Sequence, residues 1–241
     1  MEEKIKLQKI ISNYGFCSRR EAEKLIEQKR VLVNNKIATI GLRVNEHDTI
    51  IIDNKIIRNQ DKKFYFVLNK PKNTICSLKD PQKRKTIYEW MKIEKYCFSI
   101  GRLDFNTTGV IIITNDGEFA NFIAHPSSEI EREYIVNLEK PLTDKDLIFL
   151  NSNFVKLNGI FSKQKVTKIN DLNYSVVLSE GRNHHVKNLF LLVNNFVKKL
   201  HRKRYGCIND QNLKIGYFRE LTSIEINWFK SLAKKSKVEK I

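Results

Sequence analysis

Several features that would define a class of protein are scarce in this chain. Its four cysteines, Cys17, Cys76, Cys97 and Cys207, have no paired spacing, which argues against a zinc site or a disulfide framework and suits a reducing compartment. No apolar run approaches the length of a membrane span, and the opening residues Met-Glu-Glu-Lys contain no signal-peptide core. We therefore expect a cytoplasmic protein that has no membrane partner.

Acidic residues are also in the minority. The chain has 27 Asp and Glu against 44 Lys and Arg, so its formal net charge is +17 and its isoelectric point is near 9.7. Residues 182–241 hold 14 of the basic and 4 of the acidic residues, a local excess of +10. This excess favours a polyanionic partner, although a basic soluble surface would have the same composition. We expect residues 233–241 to be a basic tail and residues 198–204 to be a positioned basic patch.

A small N-terminal module is predicted over residues 1–60. Ser18 is expected to begin a helix, because its hydroxyl can cap the helix while Glu21 reaches back, as in a capping box. The segments Val31–Val33 and Lys36–Ile37, joined by two asparagines, predict a hairpin. The polar stretch Arg-Asn-Gln-Asp-Lys-Lys then interrupts two apolar segments, so we place the domain boundary there.

A larger domain is predicted over residues 64–232. Its predicted strands and helices alternate, which indicates an α+β fold with a largely antiparallel sheet. Asp104 lies in a loop just before the β-branched run at residues 110–113, which predicts a buried strand. A loop held by core elements is a usual place for a catalytic group, although Asp followed two residues later by Asn is also ordinary turn composition.

Nearly the whole chain, in order, resembles a known family. The stretches that carry the resemblance are residues 101–118, 125–126, 131–136, 179–187, 200–206 and 216–222. They are similar to the pseudouridine synthases, specifically the ribosomal RNA synthases of the small-subunit type and their large-subunit relatives. Residues 15–22 resemble the core of the alpha-L RNA-binding motif. The resemblance implies a small alpha-L module followed by a mixed, largely antiparallel sheet with the active-site cleft across its middle.

The resemblance also implies an activity and the residues that perform it. The activity is isomerisation of uridine to pseudouridine in RNA, with no cofactor and no metal. Asp104 matches the family's nucleophile, Tyr134 its active-site tyrosine, and Lys187 the basic partner of the nucleophile, where many members have Arg. Without the motif, Tyr134 would be read as a packed strand residue and Lys187 as an exposed helix lysine. Arg102 would enter the RNA stack in place of the flipped uridine, or would bind phosphate.

Further basic residues are expected to contact RNA. They are Arg19, Arg20, Lys24, Arg182, Arg202 and Arg204. The charges on the second N-terminal helix would face phosphates, although each could instead be a solvated charge paired with Glu23 or Glu27. Lys70 could also touch RNA, but its motif has a largely structural role in the family.

Two other site hypotheses are weak. His184 and His185 do not suit a metal site or a general base, because adjacent helical residues point about a hundred degrees apart and no third ligand has sensible spacing. The family usually has Gln at the second of these positions, so the role of His185 is open. Asp104 and Asp116 do not suit a carboxylate pair for glycoside hydrolysis, because Asp116 belongs to the turn before a helix.

We therefore predict a monomeric uridine isomerase that acts on structured ribosomal RNA, as part of a ribosomal subunit or an assembly intermediate. The N-terminal module would supply affinity and the larger domain the chemistry. Large-subunit RNA is the expected substrate, with small-subunit RNA as the alternative. A non-catalytic RNA-binding assembly factor is the alternative from another class, and the presence of Asp104, Tyr134 and Lys187 together argues against it.

Overall fold

A computed structural model describes most of the chain as two compact units. The described residues are 4–59, 62–78, 80–93 and 96–238, with side chains as far as residue 233. The smaller unit contains residues 4–59 and 62–64, with short segments at 93, 96–97 and 115–117, and the larger unit contains the others. Residues 60 and 61, within the predicted domain boundary, lie outside the described residues. No described helix is long and apolar enough to cross a membrane.

Short helices and hairpins build the smaller unit. In chain order they are β1 (Ile5–Lys6), α1 (Leu7–Asn13), α2 (Arg19–Glu27), β2 (Val31–Val33), β3 (Lys36–Ile37), β4 (Arg43–Val44), β5 (Ile50–Ile52) and β6 (Lys55–Ile57). The strands pair in the order β3-β2-β5-β6, and β1 pairs with β4. The predicted cap of α2 is present, because the Ser18 hydroxyl accepts a hydrogen bond from the Glu21 amide at 3.2 Å. The predicted β2–β3 hairpin is also present, with Asn34 and Asn35 in the left-handed region at φ of 49° and 64°.

A mixed sheet with helices around it builds the larger unit. In chain order the elements are β7 (Tyr65–Lys70), α3 (Ile87–Met91), β8 (Phe98–Ser99), β9 (Thr108–Thr114), α4 (Gly117–Ala124), β10 (Arg132–Leu138), α5 (Asp144–Leu150), β11 (Lys156–Leu157), β12 (Ile160–Phe161), β13 (Gln164–Lys168), β14 (Asn173–Leu178), α6 (His185–Leu191), β15 (Val197–Tyr205), β16 (Ile208–Asn209), β17 (Phe218–Glu220) and α7 (Ser223–Val238). The main strand order is β13-β14-β10-β15-β9-β7-β17. Neighbours along it are antiparallel except β15 and β9, which are parallel. The expected α+β fold with a largely antiparallel sheet is confirmed.

Strand β9 lies at the centre of the core. Every residue of β9 is buried, which its run of Val and Ile explains. Val110 and Ile112 pack in one cluster with Phe119, Tyr205 and Phe229. The loop that carries Asp104 runs directly into this strand, so one end of the loop is fixed by the core of the unit.

The structure adds detail to two C-terminal expectations. Residues 198–204, expected as a basic patch, belong to β15, and several of their charges are paired within the protein. The ion pairs are Lys198–Glu139 at 2.7 Å, Lys203–Glu133 at 3.7 Å and Arg204–Glu131 at 3.0 Å. Helix α7 continues through the position where a tail was expected to begin at residue 233, and residues 239–241 lie outside the described residues.

Gly109 allows the parallel pairing of β9 with β15. It lies opposite Arg202 in the register, at a φ of +113°. A Cβ atom at this position would lie 2.2 Å from the Arg202 carbonyl oxygen, closer than real Cβ contacts come. Only glycine fits both the backbone conformation and the close approach.

We predict that Gly109→Ala lowers the free energy of unfolding by about 3 kcal/mol or more, because it adds a steric clash to backbone strain. The control is Gly159→Ala, since Gly159 has a φ of +79° but nothing within 4 Å of an added Cβ. The control should lose only about 1–2 kcal/mol. Urea unfolding measures both, and equal losses would contradict the close approach of the two strands.

Candidate active site

A buried lysine holds the loop that carries Asp104. Lys70, the last residue of β7, is 0% exposed, and its Nζ donates to the carbonyl oxygens of Pro71, Asp104 and Thr107 at 3.0, 3.1 and 2.9 Å. Burial lowers the pKa of Lys70 from its ordinary value to about 8. Lys70 was considered for RNA contact, but its burial makes that role wrong. Its ammonium group instead fixes the backbone on which Asp104 is carried.

The Asp104 carboxylate forms an ion pair with Lys187. The Lys187 Nζ, on α6, donates to Asp104 Oδ2, and about a third of each side chain is exposed. The other carboxylate oxygen, Oδ1, lies 3.6 Å from Nε2 of His184. His184 immediately precedes α6 and has a φ of +51°. The start of one helix therefore places an ammonium group and an imidazole against the two oxygens of a single carboxylate.

Tyr134 lies on β10 at a β-bulge in the pairing with β15. Glu133 is opposite Arg204 while Tyr134 is opposite Arg202, so Lys203 is the extra residue. Bulges change the direction of nearby side chains and are common beside active sites. Here the bulge lies next to a cavity of about 180 Å³. Several predicted site residues line this cavity, namely Arg102, Asp104, Tyr134, Arg182, Lys187 and Arg202.

The arginines of the predicted RNA-binding set have different environments. Arg102 is exposed at the cavity. Arg202 is only 3% exposed; its Nε donates to the Val110 carbonyl oxygen at 2.6 Å, and its buried Nη2 has no hydrogen-bond partner among the described residues. Arg204 pairs with Glu131 and Glu133. The guanidinium group of Arg202 is therefore buried in the wall of the cavity, and its contact with RNA stays a prediction.

Arg182 connects the cavity wall to the β11–β12 hairpin. Its guanidinium group pairs with Glu180 at 2.8 Å. It also donates to the carbonyl oxygens of Leu157, Ile160 and Phe161. These contacts occupy hydrogen-bond donors of the guanidinium group within the protein. The geometry therefore gives Arg182 a structural role at the edge of the cavity.

The structure gives His185 a structural position. Its side chain is 4% exposed, its Nε2 lies 2.7 Å from Ser162 Oγ, and its Nδ1 accepts from the Arg182 amide at 3.4 Å. Because Ser162 Oγ donates to Gln164 at 2.7 Å, the imidazole fits as the neutral form protonated on Nε2. Burial lowers the pKa of His185. In the part of the chain that the structure describes, no three His, Cys, Asp or Glu side chains converge as metal ligands.

The smaller unit has a cationic recess of its own. Helix α2 presents Arg19, Arg20 and Lys24 as exposed side chains. Arg19 also lines a cavity of about 360 Å³. The other charged residues that line it are Lys4, Lys6, Lys9, Glu23 and Arg43. This recess combines a positive rim with one acidic side chain, Glu23, which accepts a hydrogen bond from Gln8 at 2.9 Å.

Comparisons with known proteins agree with this geometry. Residues 64–192 match the RNA pseudouridylate synthase family, and residues 5–50 match the S4 domain. The chain is 39% identical over 232 residues to an uncharacterized RNA pseudouridine synthase of Borreliella burgdorferi, with 93% of each chain covered. It is 34% identical over 245 residues to ribosomal large subunit pseudouridine synthase B of Bacillus subtilis, with 96% of this chain and 98% of that protein covered.

A solved structure described as a pseudouridylate synthase has the same fold, with a TM-score of 0.68 and 30% sequence identity over 93% of this chain and 99% of the other. The chain therefore belongs to the RNA pseudouridylate synthase family, whose members are isomerases. It belongs to the branch in which an S4 domain precedes the synthase domain. The resemblance read from the sequence motifs is confirmed.

We predict that burial of neutral His185 makes the stability of the protein depend on pH. Because its folded-state pKa is lowered, its contribution is present above the unfolded-state pKa near 6.5 and is lost as the pH falls below that value. Between pH 7 and pH 5.5, the free energy of unfolding of His185→Gln should therefore fall by less than that of the native chain.

Thermal unfolding at a series of pH values measures this difference. The control is His125→Gln, at an exposed histidine whose imidazole contacts the Ser127 hydroxyl and lies outside the candidate site. The control should keep the pH dependence of the native chain. A native-like pH dependence in His185→Gln would contradict the structural position of the buried imidazole.

Proposed function

We propose that this chain converts a uridine of large-subunit ribosomal RNA to pseudouridine, with Asp104 as the nucleophile and without a cofactor. The observation that carries the proposal is the Asp104–Lys187 ion pair at a cavity that Tyr134 also lines. A carboxylate that is fixed, paired with a cation and partly open to solvent suits nucleophilic attack inside a pocket.

The reaction exchanges one bond of the ribose for another. The bond between C1′ of the ribose and N1 of the base breaks, the base turns in the cavity, and C1′ joins C5. A proton leaves C5 and a proton joins N1, so there is no net change in oxidation state. A covalent bond between the Asp104 carboxylate and the substrate, formed as the first bond breaks and broken again as C1′ joins C5, would divide the exchange into easier steps.

Each neighbour of Asp104 has a separate role in this proposal. The Lys187 ammonium group would hold the carboxylate in place and balance its charge when RNA closes the cavity and excludes water. Lys70 would hold the backbone of the nucleophile loop from beneath. Tyr134 would stack on the base, and its hydroxyl would assist proton transfer from C5.

RNA must present the uridine outside its base stack. A stacked base is inaccessible to a nucleophile in a cavity, so the target must flip out. Exposed Arg102 at the cavity would occupy the space that the uridine leaves. Arg19, Arg20 and Lys24 on α2 would bind phosphates and supply affinity.

The Bacillus subtilis relative supports large-subunit RNA as the substrate, because its name refers to the large ribosomal subunit. Small-subunit RNA is the alternative that the same experiment tests. A non-catalytic assembly factor is less well supported, because RNA binding alone does not need a paired carboxylate at the edge of a cavity.

We predict that Asp104→Asn abolishes one or a few pseudouridine signals in total ribosomal RNA. The substitution keeps the size of the side chain but removes the charge and the nucleophilic carboxylate. Chemical mapping of pseudouridine in cells that carry the native or the variant chain measures the loss. The position of the lost signal also identifies the subunit.

The matched control is Asp116→Asn, which removes a carboxylate from the turn before α4 and should leave the map unchanged. An unchanged map with Asp104→Asn, while the protein still binds RNA, would overturn the proposed activity and favour the assembly factor. Loss of a small-subunit signal would keep the activity and overturn the choice of substrate.

A further inference from the structure

A tight hairpin next to the cavity carries exposed apolar side chains. Strands β11 and β12 are joined by Asn158 and Gly159, whose φ values of 53° and 79° suit a two-residue turn. Three large apolar side chains of this segment are exposed to solvent. They are Phe154 at 81%, Ile160 at 61% and Phe161 at 57%.

The segment that contains the hairpin is basic in sequence. Residues 152–169 contain no Asp or Glu. Lys163 and Lys165 follow β12 and are exposed. Lys156 places its Nζ 4.4 Å from the centre of the Phe161 ring, a cation–π contact that holds the ring while more than half of the residue stays open to solvent. An exposed aromatic ring in contact with a lysine, in a basic segment, complements an unpaired nucleotide, which offers a base to stack and a phosphate to bind.

The hairpin is also attached to the cavity. Arg182 lines the cavity that Asp104 and Lys187 line, and its guanidinium group donates to carbonyl oxygens at Ile160 and Phe161. A single side chain therefore spans from the cavity wall to the hairpin. RNA that delivers a uridine into the cavity would continue over the surface beside it, where the hairpin lies.

We propose that the hairpin binds the substrate RNA by stacking an unpaired base, close in sequence to the target uridine, on the ring of Phe161. This inference rests on the proposed function for the identity of the RNA. Lys156 and Lys163 would contact the neighbouring phosphates. A partner protein or a second copy of the chain would also cover an apolar surface, but the lack of Asp and Glu in residues 152–169 and the link to the cavity favour RNA.

The first test compares Phe161→Ala with Phe196→Ala. Phe196 is a matched control, because it is 56% exposed and its side chain is the same. Affinity for a transcript of large-subunit ribosomal RNA is measured by filter binding, with all variants in the Asp104→Asn background so that no turnover occurs. Phe161→Ala should bind about tenfold more weakly, as expected for the loss of one stacked base, and Phe196→Ala should bind like its parent.

Two further substitutions separate stacking from simple apolar contact. Phe161→Trp should keep the affinity, because a larger ring also stacks, whereas Phe161→Leu should lose it as Phe161→Ala does. Equal binding by the Leu and Trp variants would overturn stacking. A transcript that contains 4-thiouridine, photo-crosslinked to the protein, should give a crosslinked peptide that includes residue 161, and crosslinks confined to other segments would also overturn the proposal.

The outcomes distinguish this proposal from the proposed function. If Asp104→Asn leaves the pseudouridine map unchanged while Phe161→Ala weakens RNA binding, the activity fails and the hairpin surface stands. If the map changes while Phe161→Ala binds RNA like Phe196→Ala, the hairpin proposal alone fails. If Phe161→Ala abolishes self-association in sedimentation but leaves RNA binding unchanged, the surface binds a second copy and the proposal is overturned.

Discussion

The ion pair between Asp104 and Lys187 is the contact on which the proposed active site depends. It joins the loop before the central strand β9 to the start of α6, two segments far apart in the sequence. The attraction to Lys187 cannot easily displace the loop, because the buried Lys70 ammonium group donates hydrogen bonds to the loop's carbonyl oxygens. The carboxylate is thus fixed through its backbone by one ammonium group and through its oxygens by another. Such a rigid placement suits the role of nucleophile that is proposed for Asp104.

The basic residues that give the chain its net charge of +17 have two kinds of environment in this fold. Some basic residues are exposed, as on α2 and around the β11–β12 hairpin, and are available to a polyanion. Others work inside the protein. Lys70, Arg132 and Arg202 are buried and bind carbonyl oxygens, and Arg132 also donates to the Tyr205 hydroxyl at 2.9 Å. A count of charges therefore indicates a polyanionic partner but overestimates the number of residues that can touch it.

Local patterns predicted much of the fold, whereas the supporting contacts of the site were not predictable from them. The predicted β2–β3 hairpin and the predicted buried strand at residues 110–113 are present, and the cap at Ser18 is where the sequence indicates it. The motifs also selected Asp104, Tyr134 and Lys187, which line one cavity. The role of Lys70 depends on carbonyl groups more than thirty residues away, and the burial of Arg202 depends on the parallel pairing of β15 with β9. Neither leaves a local signal in the sequence.

The most direct test of this account is the single-turnover rate of pseudouridine formation by Lys187→Met and Lys187→Arg, measured beside the affinity of each for RNA. The account predicts that Lys187→Met slows the reaction about a hundredfold or more while binding RNA nearly as the native chain does, because the lost cation acts on the nucleophile. Lys187→Arg should keep most of the rate, since it restores the charge. A native rate in Lys187→Met would contradict the central role of the ion pair.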